Sequence, residues 1–373
     1  MANSEHAPAR EARITDHGGG VWSIPVPIPD NPLGHTLVHL VETDTGPVLI
    51  DTGWDDPRAW QALTEGLQTC GTSVQDLRGV VLTHYHPDHH GLSARVREAS
   101  GAWLAMHPAD TDVIRRTRET APSTWLLSLL DRLALTGAPQ EEIEPLRELA
   151  AQAGADAVQG HRAALPDRDI VPGELLDLPG RKLRAIWTPG HTPGHVCLHL
   201  EEEHPRGEVL GEHRHGNPQG AHGHSAAGFG RLFSGDHLLP TVSPHIGLYE
   251  DPEGSSVDPL GDYLHSLERV DRLAPTEVLP AHQYAFADAH SRVAELLAHH
   301  HERLAEMHAL LAQGPCTPWE LAERMTWNRS WAELPFTSRG MAVSEVAAHL
   351  WRLVKLERAE QVPESDPGRY RAL

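Results

Sequence analysis

Cysteine is scarce in this sequence of 373 residues. Cys70, Cys197 and Cys316 are too few and too far apart for a disulfide framework, and no CxxC pair is present to hold a metal through thiolates. A reducing, cytoplasmic setting is the expectation that follows. Long apolar runs are also missing. None reaches the ~18 residues that a membrane-spanning helix needs. Met1–Arg10 carries no apolar stretch of the kind found in a secretory leader. Aromatic residues make up only 5%, yet 39% of the chain is apolar, enough to build a core and to exclude wholesale disorder. Basic residues are outnumbered, 31 against 52 acidic, for a net charge of −21. That balance disfavours nonspecific binding to nucleic acid or to an anionic membrane. Residues 314–373 hold eight basic and eight acidic side chains, so the whole imbalance sits in the first 313 residues. There is no GxSxG, P-loop or GxGxxG element, so serine-nucleophile, nucleotide and dinucleotide chemistries have no anchor.

Histidine is what the chain has in excess, with 28 residues. It is the commonest metal ligand, so position decides whether the excess has meaning. Most of the first third reads as strands and tight turns: Val21–Ile28, Thr36–Glu42, Val48–Ile50 ending in Asp51-Thr52-Gly53, and Val80–Leu82. Residues 109–165 turn helical and read as a helical hairpin inserted into a β-rich frame. Trp125, Leu126, Leu129, Leu130 and Leu133 form one stripe, and Ile143, Leu146 and Leu149 begin another. Strands return at Leu183–Trp187, Val196–Leu200 and Leu232–Ser234. The stretch 201–230, rich in His, Gly and Pro, reads as an exposed hairpin loop. A helix starts at Asp258-Pro259, a short strand covers Val278-Leu279, and a long helix spans Ala287–Leu311. His299, His300 and His301 on that helix cannot all face one way and are expected at the surface. Gly314-Pro315 marks a boundary, followed by the capping box Thr317-Pro318-Trp319-Glu320, a helix near Val343–Leu356 and a β-like tail.

One segment carries most of the chemistry: His84-x-His86-x-Asp88-His89, directly after a buried strand. Three imidazoles and a carboxylate within six residues are hard to bury unless something pairs them. A metal does so, because imidazole nitrogen and carboxylate oxygen suit zinc, iron or manganese. Alternation in an extended loop lets His84 and His86 share one ion. Pro87 redirects the chain and frees Asp88 and His89 for a second. Further candidates stand at later strand ends: His191 in a Pro/Gly-pinned turn, Asp236 in Ser-Gly-Asp-His and His282 in Pro-Ala-His.

HxHxDH, GHTPGH, GDH and PAH, preceded by Ile50-Asp51-Thr52-Gly53, resemble the metallo-β-lactamase superfamily in both content and order, over roughly residues 20–310. The resemblance implies an α/β protein with the four-layer αββα fold. Its catalytic domain would span 20–313, with the insertion at 109–165 and the loop at 201–230. Residues 314–373 resemble the small winged-helix-like domain of the lactamase-β-like-2 subgroup, here expected as a packed cap rather than a DNA reader. By resemblance, His84, His86 and His191 hold a first ion, and Asp88, His89 and His282 a second. Asp236 bridges the two, and Asp51 orients the ligand loop without binding metal. A carboxylate at 236 separates the chain from zinc β-lactamases with a thiolate ligand. The family often places glycine on either side of the last histidine, where this chain has Ala281 and Gln283.

The implied cofactor is a pair of divalent ions, Zn²⁺ first, with Fe or Mn as alternatives. The implied reaction is hydrolysis by a metal-bridging hydroxide, with Asp88 as the catalytic proton holder. A carboxylic thioester or ester is the first-choice substrate, which makes a small acyl compound the expected partner. Single-stranded RNA comes second, a β-lactam or lactone third, and an iron-dependent oxidoreductase is the non-hydrolytic alternative. Outside the ligand set, His90, His195 and His237 are expected to hydrogen-bond around it. Cys197 is expected in the core, and His245, on the loop after Asp236, in contact with substrate.

Overall fold

A computed structural model describes residues 13–119, 122–152, 164–202, 229–249 and 257–373. Two sheets form its centre. The first has seven strands in chain order: β1 (Thr15–Asp16), β2 (Val21–Pro27), β3 (His35–Val41), β4 (Val48–Ile50), β5 (Gly79–Val81), β6 (Trp103–Met106) and β7 (Arg168–Asp169). Strands β1 to β4 pair antiparallel, and β4 to β7 run parallel. The second holds β8 (Leu183–Trp187), β9 (Val196–Leu200), β10 (Arg231–Gly235) and β11 (Glu277–Pro280), in the order β11-β10-β9-β8. A separate hairpin pairs β12 (Ala359–Gln361) with β13 (Tyr370–Ala372).

The period of two in each strand assigns its side chains to layers. Val48 and Ile50 of β4, Val196, Leu198 and Leu200 of β9, and Phe233 and Leu279 meet in a core between the sheets. Leu49, Val80, Leu104 and Met106 point the other way. They pack with Ala59, Leu63 and Leu67 of α1 (Pro57–Thr69) and with Val96, beyond the short turn of α2 (Pro87–His90), on α3 (Ser93–Ser100). Cys197, Leu232 and Val278 face outward from the second sheet into a third cluster. Strands buried on both faces read as unbroken apolar runs, and helices cover the two outer faces. This is the expected four-layer αββα arrangement.

Helix α1 is absent from the sequence expectation of strands and turns there. Its signals are ordinary: Asp56 accepts the Arg58 N–H as N-cap, and Pro57 takes the first helical position. The insertion comprises α4 (Pro108–Glu119), α5 (Pro122–Leu135) and α6 (Gln140–Gln152), between β6 and β7. The loop expected at 201–230 falls almost wholly outside the described residues, as do its histidines.

The outer face of the second sheet is covered by α7 (Pro259–Asp271) and α8 (Ala289–Leu311), and then by α9 (Pro318–Arg324) and α10 (Phe336–Lys355). Helix α9 begins with the expected capping box: Thr317 Oγ1 accepts the Glu320 N–H at 3.1 Å, and Glu320 accepts the Thr317 N–H at 3.0 Å. Apolar residues of this C-terminal segment do not form a core of their own. Trp319, Leu321, Val346 and Leu353 share one cluster with Leu130, Leu133 and Ile143 of the insertion and with Tyr263 and Leu304. Arg339 pairs with Glu142 at 2.6 Å, and Arg352 with Asp258 at 2.6 Å.

The surface expectation for all three adjacent histidines on α8 is corrected. His300 is fully buried, and its Nδ1 lies 3.0 Å from His349 Nε2 on α10. One position in three of a helix faces inward, and here α10 supplies a polar partner for it. No helix among the described residues is long and apolar enough to cross a membrane. The cysteines are free, and Cys197 lies in the core as expected.

Candidate metal centre

The candidate ligands, and Asp51 behind them, all follow the carboxyl ends of strands. Asp51 follows β4, His84 to His89 follow β5, His191 follows β8, Asp236 follows β10 and His282 follows β11. The two sheets direct these ends to one place. His84, His86 and His191 form one cluster of donor atoms within 4.8 Å of one another. Asp88, His89 and His282 form another, and His84, His89 and Asp236 a third that joins them. All seven sequence candidates are thus brought together.

Asp236 has one oxygen toward each half. Oδ1 lies 3.2 Å from His282 Nε2 and 3.4 Å from His89 Nε2, while Oδ2 lies 3.5 Å from His191 Nε2. His86 Nδ1 and His191 Nε2 converge to 3.0 Å. Asp88 Oδ2 stands 3.3 Å from His282 Nε2 and 3.6 Å from His89 Nε2.

Hydrogen bonds behind the rings fix which nitrogen faces inward. His89 Nδ1 donates to Asp51 at 2.8 Å, His191 Nδ1 to the His245 carbonyl at 2.8 Å, and His282 Nδ1 to the His35 carbonyl at 2.9 Å. Each leaves Nε2 for the centre, the arrangement that orients metal-binding imidazoles. Asp51 also accepts the Thr83 N–H at 2.8 Å, so it ties the strand end before His84 to the ring of His89. It sits at φ 62, a left-handed conformation that aspartate tolerates better than most residues.

Of the three flanking histidines, His195 has the clearest role. Its Nε2 accepts the Asp236 N–H at 3.2 Å, and its Nδ1 meets Thr188 Oγ1 at 2.8 Å. His237 is buried against the Tyr263 ring. The ring of His245 lies 3.9 Å from Glu345 of α10, too far for a hydrogen bond. Its backbone carbonyl, rather than its ring, supports the candidate ligand His191.

Of the two unusual neighbours of His282, Gln283 is explained by the structure. Gln283 takes φ 72, where glycine is at ease. Its amide is held on both sides by Thr241, which donates its N–H at 3.0 Å and accepts from Nε2 at 2.6 Å. Two side-chain bonds thus offset the strain that a glycine would avoid. Gly190, at φ 136, is required for a second reason: a Cβ there would fall 2.4 Å from that of Tyr263.

Charge divides the centre. Burial and neighbouring imidazoles push His84 well below its ordinary pKa. Burial and His191 do the same to His86. Burial also opposes charge on His89 and His282, but carboxylates override it: Asp236, Asp88 and Asp51 raise His89 well above normal, and Asp236 and Asp88 raise His282 to about 10. Desolvation works against charge on the half-buried Asp88 too, yet the His89 and His282 rings hold its carboxyl down at about 2.

The donors fit divalent ions. His84 Nε2, His89 Nε2, His282 Nε2 and Asp236 Oδ1 are buried without a hydrogen-bond partner among the described residues. Buried polar atoms left this way are costly, and a cation satisfies several at once. Nitrogen and oxygen donors without thiolate match zinc and related ions.

Comparison with known proteins agrees. The family model of the metallo-beta-lactamase superfamily matches residues 31–204. A metallo-beta-lactamase family protein from Thermus thermophilus, of known crystal structure, is 30% identical; the match covers 95% of this chain and 99% of that one, with a TM-score of 0.70. The chain belongs to the metallo-beta-lactamase superfamily. Within the superfamily, a beta-lactamase domain protein from Burkholderia ambifaria shares the fold at a TM-score of 0.75, with 23% identity over 98% of this chain and 96% of its own. A probable metallo-hydrolase of Bacillus subtilis (strain 168), YqjP, is 24% identical over 340 residues, 88% of this chain and 91% of that protein. Membership makes the chain an enzyme, a metallo-hydrolase, and implies divalent metal at this centre.

Proposed function

We propose that this chain is a binuclear metal-dependent hydrolase acting on a small carboxylic thioester or ester. The observation that carries the binuclear reading is Asp236, whose two oxygens face the two histidine clusters separately. His84, His86 and His191 would hold one ion; Asp88, His89 and His282 would hold the other; Asp236 would serve both. Zinc suits this donor set best. Two such ions, when bound, lower the pKa of water toward neutrality and polarise the oxygen of the electrophile.

The chain's own groups supply the rest. Asp88 is ionised at neutral pH and its side chain is partly exposed, so its carboxylate can accept a proton and pass it on. Asp51 keeps His89 in one tautomer and the Thr83–His84 backbone in register. The His245 ring, partly exposed and 3.9 Å from Glu345, is the candidate substrate contact.

Several features favour an acyl substrate over a polyanion. The net charge of −21 opposes RNA. Leu33, Val242 and Tyr284, each more than a third exposed, stand on loops adjoining the ligand segments and offer apolar surface to an organic group. Residues 314–373, with the order of two helices and a hairpin, serve in this proposal as a winged-helix-like cap packed on the insertion.

The test is turnover of an acyl-CoA thioester, a simple ester, nitrocefin and single-stranded RNA by the zinc-loaded enzyme, without oxygen. Thioester or ester hydrolysis is expected. RNA cleavage alone would transfer the protein to the ribonuclease class. If no hydrolysis is seen, iron in the protein as purified together with oxygen consumption in air would move it to the oxidoreductases.

A further inference from the structure

Asp110 lies in the first turn of α4, where an acidic residue reads as an ordinary helix-start side chain. Its environment is not that of a helix start. The residue has no exposure to solvent, and its carboxylate accepts three hydrogen bonds from two distant segments. The Tyr85 N–H, between His84 and His86, donates to Oδ2 at 3.0 Å. The Thr192 hydroxyl, next to His191, donates to the same oxygen at 2.8 Å. The Gly194 N–H donates to Oδ1 at 2.6 Å. The backbone of Asp110 is itself anchored, its N–H donating to the His107 carbonyl at 3.1 Å. Glycine at 194 belongs to the same joint, because a Cβ there would come 2.6 Å from both N and Oδ1 of Asp110.

We propose that Asp110 is a positioning residue for the first ion: its carboxylate stitches the loop bearing His84 and His86 to the turn bearing His191. The proposal rests on the binuclear reading above. Asp110 need not touch a ligand side chain to act. It fixes the separation of two backbone segments that arrive from different sheets, β5 in one and β8 in the other. Asp51 does a comparable task for the second half, but by bonding directly to a ligand ring.

The chemistry of the joint predicts that asparagine cannot replace Asp110. Three donors converge on it, and a carboxylate offers two acceptor oxygens. Asparagine offers one oxygen and an NH₂. In either orientation the NH₂ faces a donor, and at least one buried N–H or O–H is left unmade. Thr192→Val is the milder probe. It removes one donor, keeps the volume nearly constant and leaves Asp110 in place.

The experiment titrates Co²⁺ and Zn²⁺ into metal-stripped full-length protein against a competing chelator, with thermal unfolding of each stripped variant as a folding control. His86→Ala and His282→Ala assign the binding steps to the two halves. Asp110→Asn should weaken the first ion by roughly 10–100-fold, the usual size for loss of a supporting partner. It should change the Co²⁺ ligand-field spectrum of that ion and leave the second ion's affinity in place. Thr192→Val should shift the same step in the same direction by less. If folded Asp110→Asn and Thr192→Val bind the first ion as tightly as wild type, the proposal is wrong while the binuclear reading stands. Equal weakening of both ions would also overturn it, because that is the signature of a general loss of fold. Failure of wild type to bind a first ion would overturn the binuclear reading itself, and the proposal with it.

Discussion

His84, His86 and His191 crowd together with little to neutralise a charge, whereas His89 and His282 lie among Asp51, Asp88 and Asp236. The same residue type therefore behaves in opposite ways a few ångströms apart. The first cluster favours neutral rings, ready to donate lone pairs to a cation. The second, without an ion, compensates its carboxylates with imidazolium protons. An ion entering the second half replaces protons, while an ion entering the first replaces almost none. Asp236 belongs to both halves, so the comparison predicts a hierarchy of effects.

Removing the shared carboxylate should do most. Asp236→Ala is expected to abolish activity and empty both halves, as read by elemental analysis of the purified variant. Retention of two ions would remove Asp236 from the bridging role. Next in size, His282→Ala should lose the second ion and keep the first; competition titration distinguishes the steps. Loss of the first ion alone would show that the clusters are wrongly divided.

The pH dependence sharpens the contrast. Raising pH from neutrality toward 10 deprotonates His282, so the second ion's affinity should climb by about tenfold per unit for each proton released. The first ion's affinity should be nearly flat over that range, because His84 and His86 titrate well below 6.5. Stability of the metal-stripped protein should follow the same signs. The pairing of His282, raised above 6.5, stabilises the fold fully below 6.5, and that contribution disappears as pH rises through about 10. Buried neutral His84 and His86 contribute the reverse, losing stability as pH falls below 6.5. Chemical unfolding at several pH values measures both. The smallest effect is expected from His245→Ala, since His191 is held by the backbone carbonyl of His245. Metal content should be unchanged, with any loss confined to substrate turnover. An emptied first half would make the His245 ring a ligand support after all.

Much of this is legible in the sequence, for identifiable reasons. HxHxDH, GHTPGH, GDH and PAH are local patterns that place donors just past strand ends, and strands buried on both faces announce themselves as apolar runs. The candidate ligand set needs no knowledge of packing. What escapes depends mostly on partners remote in sequence. Helix α1 is the exception, since Asp56-Pro57 and a buried stripe of Ala59, Leu63 and Leu67 mark it locally. His300 reads as a surface residue because its partner, His349, arrives from 49 positions away. Gln283 reads as a departure from a family glycine until Thr241 is seen holding it. Asp110 carries no motif, and only three-dimensional convergence distinguishes it from any acid at a helix start.

Whether Asp236 joins two ions is decided by the metal content of the purified protein, with the Asp236→Ala variant beside it. Two divalent ions per wild-type chain are expected, as a binuclear hydrolase requires, and none in the variant. One ion or none in an active wild-type enzyme would contradict the binuclear reading.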